Sequence, residues 1–250
     1  MMNDLMIGFY WQSRMLSLLD AAQAVHVFQK LLEKQIPHGN KISFQSTTLD
    51  KQSQSDDWIS EFCTHTISDQ HRYSSYEANG KPTSHANSPL GFSFHLSNSE
   101  KRNTGLHLIG TIGAYDEFTK NSVTVKICKD ICSEIIKSSP LFQVVKKTLL
   151  FGITHWNVSL GKIFSLKLSD AIDDDNFTAI GWLTYLAHLP PEQIPAKSEL
   201  LGMGITWEAV PQGGTLFMLD QEMVSADNPE HVARGKLLRA RLMEHGWIEN

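Results

Sequence analysis

Eleven histidines, three cysteines and the run Asp173-Asp174-Asp175 are the side chains of this 250-residue chain that could ligate a metal, carry a proton or hold a cation. The histidines are His26, His38, His65, His71, His85, His95, His107, His155, His188, His231 and His245. None falls in an HExxH pattern, the spacing that sets two imidazoles on one helix face around a single ion. His65 and His71 beside Cys63 come nearest to a ligand set, but that stretch carries no strong helix or strand pattern. Cys128 and Cys132 are spaced for one helical turn, not as a CxxC pair, and read as structural thiols. Few cysteines, odd in number, point to reduced thiols in a cytoplasmic protein. The glycine pairs of GTIGAY (from Gly110) and LGMGIT (from Gly202) lie within strand signals. They read as bulges or close backbone packing, not as phosphate loops. Neither GxxxxGK[ST] nor GxSxG occurs. The expectation is therefore no catalytic residue, no metal and no cofactor. The residue-level alternative is a metal-dependent hydrolase of small molecules, assembled from the scattered histidines.

Binding is the other chemistry available. Three consecutive aspartates in an extended chain cannot all face one ion, so Asp173, Asp174 and Asp175 form either a solvated loop or an acidic contact for a basic protein surface. In Phe9-Tyr10-Trp11, strand alternation buries Phe9 and Trp11 and turns Tyr10 to the opposite face. Asp173, Asp174, Asp175 and Tyr10 are the candidate partner-binding residues.

Charge narrows the partner. The net charge is -5 and the pI about 6.1. The most basic-looking stretch, Asp227 to Asn250, balances Arg234, Lys236, Arg239 and Arg241 against Asp227, Glu230, Glu244 and Glu249. Displacing counterions from phosphates requires a basic surplus, so neither nucleic acid nor an anionic membrane is the expected partner. No apolar run is long enough to span a bilayer, and MMNDLMIGFYW lacks the basic start of a secretory signal. A cytoplasmic location is expected.

The elements that must position these residues follow from periodicity. Leu5–Trp11 alternates as a strand. A helix capped at Ser13 is predicted through about Gln35, with Leu18, Ala22, Val25, Phe28 and Leu32 as its apolar stripe. Lys41–Leu49 is a second strand candidate, and Trp58–Cys63 a helical turn or strand. A long loop, poor in aliphatics, is expected over about 66–89. Gly91–Ser97, Gly105–Tyr115 and Ser122–Cys128 alternate as an antiparallel meander. A helical stretch over 130–151 breaks at Pro140, and HWNVSLGKIFSLKLSD reads as a hairpin. Ile180–His188 is a buried strand candidate, and a hairpin spans Gly204–Leu219. Asn228, Pro229 and Glu230 supply an N-cap, a first helical residue and a dipole-matched charge for a last helix over about 229–245. On it, Val232, Ala233, Leu237, Ala240 and Met243 share one side, with Leu238 and Leu242 on the other. Runs of strands rather than strand–helix alternation predict an α+β fold, antiparallel sheets packed with an N-terminal and a C-terminal helix. A single domain over 1–250 is expected.

The order of these motifs carries more than any one of them. IGFYW, LGFSFHL, GTIGAY, NSVTVKI, THWNVSLGKIFS, GWLTYL and DNPEHVARGKLL, taken in sequence from about residue 6 to 247, resemble the Immunity protein 52 family. The resemblance implies an antidote encoded beside a polymorphic toxin. Its partner would be a nuclease toxin of restriction-endonuclease fold, encoded by a neighbouring gene and often delivered by type VI secretion. The shared motifs are mostly glycine and apolar positions, so they transfer as fold determinants and not as binding residues. An adaptor that loads the toxin for secretion is the remaining alternative.

Overall fold

The computed structural model describes residues 4–36, 42–44, 58, 62, 86–173 and 179–248. They form an α+β fold that divides into two compact units. One comprises Met1–Phe9 and Ile136–Asn250; the other is Tyr10–Ile135.

The Tyr10–Ile135 unit is built on the predicted meander. Helix α1 (Leu18–Gln35) starts at Ser17, whose hydroxyl accepts from the Asp20 amide at 3.1 Å. The cap is thus Ser17 and not Ser13, because Ser17 has an acid three residues on to return the bond: its hydroxyl donates to the Asp20 carboxylate at 2.7 Å. The expected stripe is buried, joined by Ala21 and Gln29. Strands β2 (Ser43–Phe44), β3 (Phe92–Ser97), β4 (Leu106–Ile112) and β5 (Asn121–Ile127) pair in that order, all antiparallel. Val123, Val125 and Ile127 are buried, with half-buried residues alternating between them. Of the Lys41–Leu49 candidate, only the buried Ile42 and β2 are described. Of Trp58–Cys63 only Trp58 and Phe62 are described, both helical, with Phe62 fully buried and stacked on Trp58 at 5.3 Å. The expected loop over 66–89 lies outside the described residues up to 85.

The other unit holds Leu5–Phe9 of β1 (Leu5–Trp11), then β6 (Leu160–Phe164), β7 (Leu183–Leu186), β9 (Thr215–Met218) and β8 (Thr206–Ala209), in the order β1-β6-β7-β9-β8. β6 through β8 pair antiparallel. Helix α2 (Lys129–Ser138), most of which belongs to the Tyr10–Ile135 unit, and helix α3 (Leu141–Trp156) flank Pro140 as expected. His155-Trp156 belongs to α3, which ends at Asn157 in the left-handed conformation. Only Leu160–Phe164 of the expected hairpin is a strand, and α4 (Leu166–Ile172) follows it, capped by Ser165. Alternating apolar residues in KIFSLKL fit either period, and the Ser165 cap decides for a helix. A short helix, α5 (Lys197–Gly202), was not anticipated. Gly202 ends that helix and Gly204 has φ +80, so this glycine pair closes a helix and is not part of a strand.

Helix α6 (Pro229–Glu244) has the expected cap, the Asn228 side chain accepting from the Glu230 amide at 3.0 Å. Its buried face, however, is Gly235, Leu238 and Leu242. Ala233 and Ala240, counted above on the apolar side, are exposed. Gly235 faces Ile172 so closely that any Cβ would collide with it. A glycine hidden in an otherwise charged turn marks the packed side, a signal that apolar counting overlooks.

Candidate functional site

The four candidate contact residues do not form one cluster among the described residues. Asp173 closes α4, its amide donating to Ser169 O at 2.9 Å. Its carboxylate lies 3.0 Å from the Arg239 guanidinium of α6, and the side chain is only 11% exposed. Asp173 therefore joins two helices of its own unit. Asp174 and Asp175 lie outside the described residues. Tyr10 is half-buried and hydrogen-bonded to Thr124; burial raises its phenol above the ordinary tyrosine pKa, and the Thr124 bond offsets part of this.

Several of the histidines are engaged in local contacts. His107 is buried, and its Nε2 lies 2.9 Å from Thr104 O, a carbonyl that can only accept. The proton thus sits on Nε2, leaving Nδ1 bare to accept from His95 Nε2–H at 3.1 Å. Burial lowers the His95 pKa, and the neighbouring His107 and Arg102 lower it further. His155 packs edge-on to Trp156, and His188 donates to Trp247 O at 3.0 Å. His231 Nδ1 accepts from the Ser225 amide at 3.0 Å, beside the Asp220–Arg234 ion pair of 2.6 Å. Burial opposes ionisation of Asp220, but the Glu222 amide, the Arg234 guanidinium and the Gln221 amide outweigh it and hold the carboxyl below its usual range. Cys128 and Cys132 are buried, and the Cys132 thiol lies 3.5 Å from Ile127 O. His38, His65, His71, His85 and Cys63 lie outside the described residues. Among the described residues, no three His, Cys, Asp or Glu side chains are grouped to hold a metal, and no helix is long and apolar enough to cross a membrane.

A feature that motif reading missed lies in the Tyr10–Ile135 unit, where three connections are bonded to one another. The Arg14 amide donates to Ala114 O and the Leu18 amide to Ala86 O, both at 2.8 Å. The Tyr115 and Asp116 amides both donate to Pro89 O, at 3.1 and 3.0 Å. The buried Asn121 side chain accepts from the Ala114 amide at 2.9 Å and donates to Gln12 O and Ala114 O. These connections carry Met15, Leu90, Tyr115 and Phe118, four of the ten large apolar side chains that stay exposed among the described residues. The available signal was Phe118 itself, an aromatic in the turn-rich link after Asp116.

No curated protein matches the chain. The model of the Immunity protein 52 family matches residues 4–250, which includes both units and every motif quoted above. The chain belongs to the Immunity protein 52 family.

Proposed function

We propose that this immunity protein neutralises its cognate toxin by binding it, without catalysis of its own, and that the toxin is a DNA-cleaving nuclease of restriction-endonuclease fold delivered by a type VI secretion system. The observation that carries the reading is the family match over essentially the whole chain. Charge supports it. A nuclease must present a basic groove to phosphates, and a protein of net charge -5 is attracted to such a groove over distances set by ionic strength. Complex formation in the producer's cytoplasm would cover or distort the nuclease site before self-DNA is cut. Within this reading the acidic run from Asp173 to Asp175 steers the encounter. Since Asp173 is committed to Arg239, the steering falls to Asp174 and Asp175. Tyr10, its hydroxyl side turned to Thr124, is at most a rim contact.

The test is a protection assay. The toxin domain encoded beside this chain is induced in a bacterial host, with and without the chain, while viability and chromosome integrity are followed. Survival with intact DNA is the expected result. Equal killing and equal DNA degradation in the presence of abundant, folded chain would refute the proposal.

A further inference from the structure

Phe118 is 85% exposed and Met15 60%, on a unit that buries Phe62, Phe92 and Phe94 almost completely. Folding does not account for leaving a phenylalanine in water at a turn. The turn also holds it in place. The Phe118 amide donates to Asp116 Oδ1 at 2.8 Å and the Thr119 amide to Asp116 O at 3.3 Å. Asp116 is in turn anchored to Pro89. An exposed aromatic on a pre-ordered turn loses little conformational entropy on docking, which is the property of a binding anchor.

We infer that the three bonded connections bearing Met15, Leu90, Tyr115 and Phe118 are the toxin-docking surface, with Phe118 as the anchor that enters the nuclease's DNA groove. This rests on the nuclease-toxin reading above. The chemistry of the tip favours that occupant. Asp116 and Glu117 precede Phe118, so carboxylates stand beside a ring. A groove built for DNA offers cations for phosphates, and the guanidinium faces and apolar stems of those same Arg and Lys side chains are surfaces on which a ring can lie. The Glu117 carboxylate meets the first and the Phe118 ring the second. Lys120 two residues on and Arg14 on the neighbouring connection carry the opposite charge, so the acidic character is confined to the Asp116–Phe118 tip. Tyr115 and Met15 supply adjoining apolar contact.

The experiment measures binding of the full chain to the toxin domain encoded beside it, purified without divalent metal so that no DNA cleavage intervenes. Phe118→Lys, which removes the ring and sets a cation against a basic groove, is expected to weaken binding at least about thirtyfold, and the uncharged Phe118→Ala about tenfold or more. Thermal melting of both should match the native chain, since the ring contributes nothing to the core. Leu201→Glu, at a 55% exposed site in the other unit, should bind as the native chain does. If the native chain binds and both Phe118 variants stay within about threefold of it, the docking surface is elsewhere and the immunity reading stands. If the native chain does not bind, inhibition by binding fails and this inference fails with it.

Discussion

Gly152 lies in the middle of α3, where a glycine is the poorest helix former after proline. On propensity alone, Gly152→Ala should stabilise the chain by about 1 kcal/mol. Packing opposes this. A Cβ at position 152 would fall within the van der Waals surface of the Phe9 ring, and Phe9 is fully buried. Forcing one carbon into a close-packed core costs about 1–3 kcal/mol, and here the ring is stiff. The net expectation is a loss of about 1–2 kcal/mol, which for a chain of this size lowers Tm by about 3–6 °C. Denaturant titration with a coincident thermal melt measures it. Phe9→Leu makes room at the collision point. The double variant Phe9→Leu/Gly152→Ala should therefore be more stable than the sum of the two single losses by about 1 kcal/mol or more. A higher Tm for Gly152→Ala, or strict additivity in the double variant, would refute the packing argument and leave Gly152 as an ordinary helix weakness.

Other outcomes follow from the charged groups. Lys162 is buried, with its ammonium 4.4 Å from the Phe164 ring centre, and burial holds its pKa down to about 8. The unfolded chain keeps that proton up to about pH 10.4, so between these values it binds more protons than the folded chain and stability rises with pH. The rise should be on the order of 3 kcal/mol at most, and Lys162→Met should abolish it in denaturation curves taken between pH 7.5 and 10. Asp173→Ala withdraws the carboxylate from Arg239 in a largely shielded pair and should cost about 1–3 kcal/mol in a melt. Replacing Asp174 and Asp175 with lysine should instead slow toxin association severalfold at low salt, an effect that fades as salt is added. Unchanged association at low salt would remove both aspartates from the encounter. Arg234→Gln should lower stability by about 1–2 kcal/mol at neutral pH. The Asp220 carboxyl is held below its unfolded pKa, so its contribution is complete above the ordinary carboxylate range and disappears as pH falls through the lower folded value. The variant's deficit should shrink accordingly in acid melts.

Much of this molecule was legible in the sequence because its elements carry local signals. Alternation alone located β1 and the β3–β5 meander. The Asn228-Pro229-Glu230 start placed α6, and Pro140 separated two helices. The order of weak motifs was enough to point to the family. What failed were segments where local physics is ambiguous: KIFSLKL suits a strand and a helix alike, and the cap of α1 depended on which serine had a carboxylate to answer it. The buried side of α6 was not local at all. It is set by Ile172 pressing on Gly235, a contact sixty-odd residues apart in sequence that removes the room for a side chain. The binding residues divide the same way. Residue type alone nominated Asp173, but only the fold brings Arg239 to it and diverts its charge inward. Residue type marked Phe118 only as an aromatic in a turn-rich link and did not show whether its ring is covered. Its exposure is decided by Pro89, Ala114 and Asn121, which tie three distant connections together and hold the ring outward, where no described residue buries it.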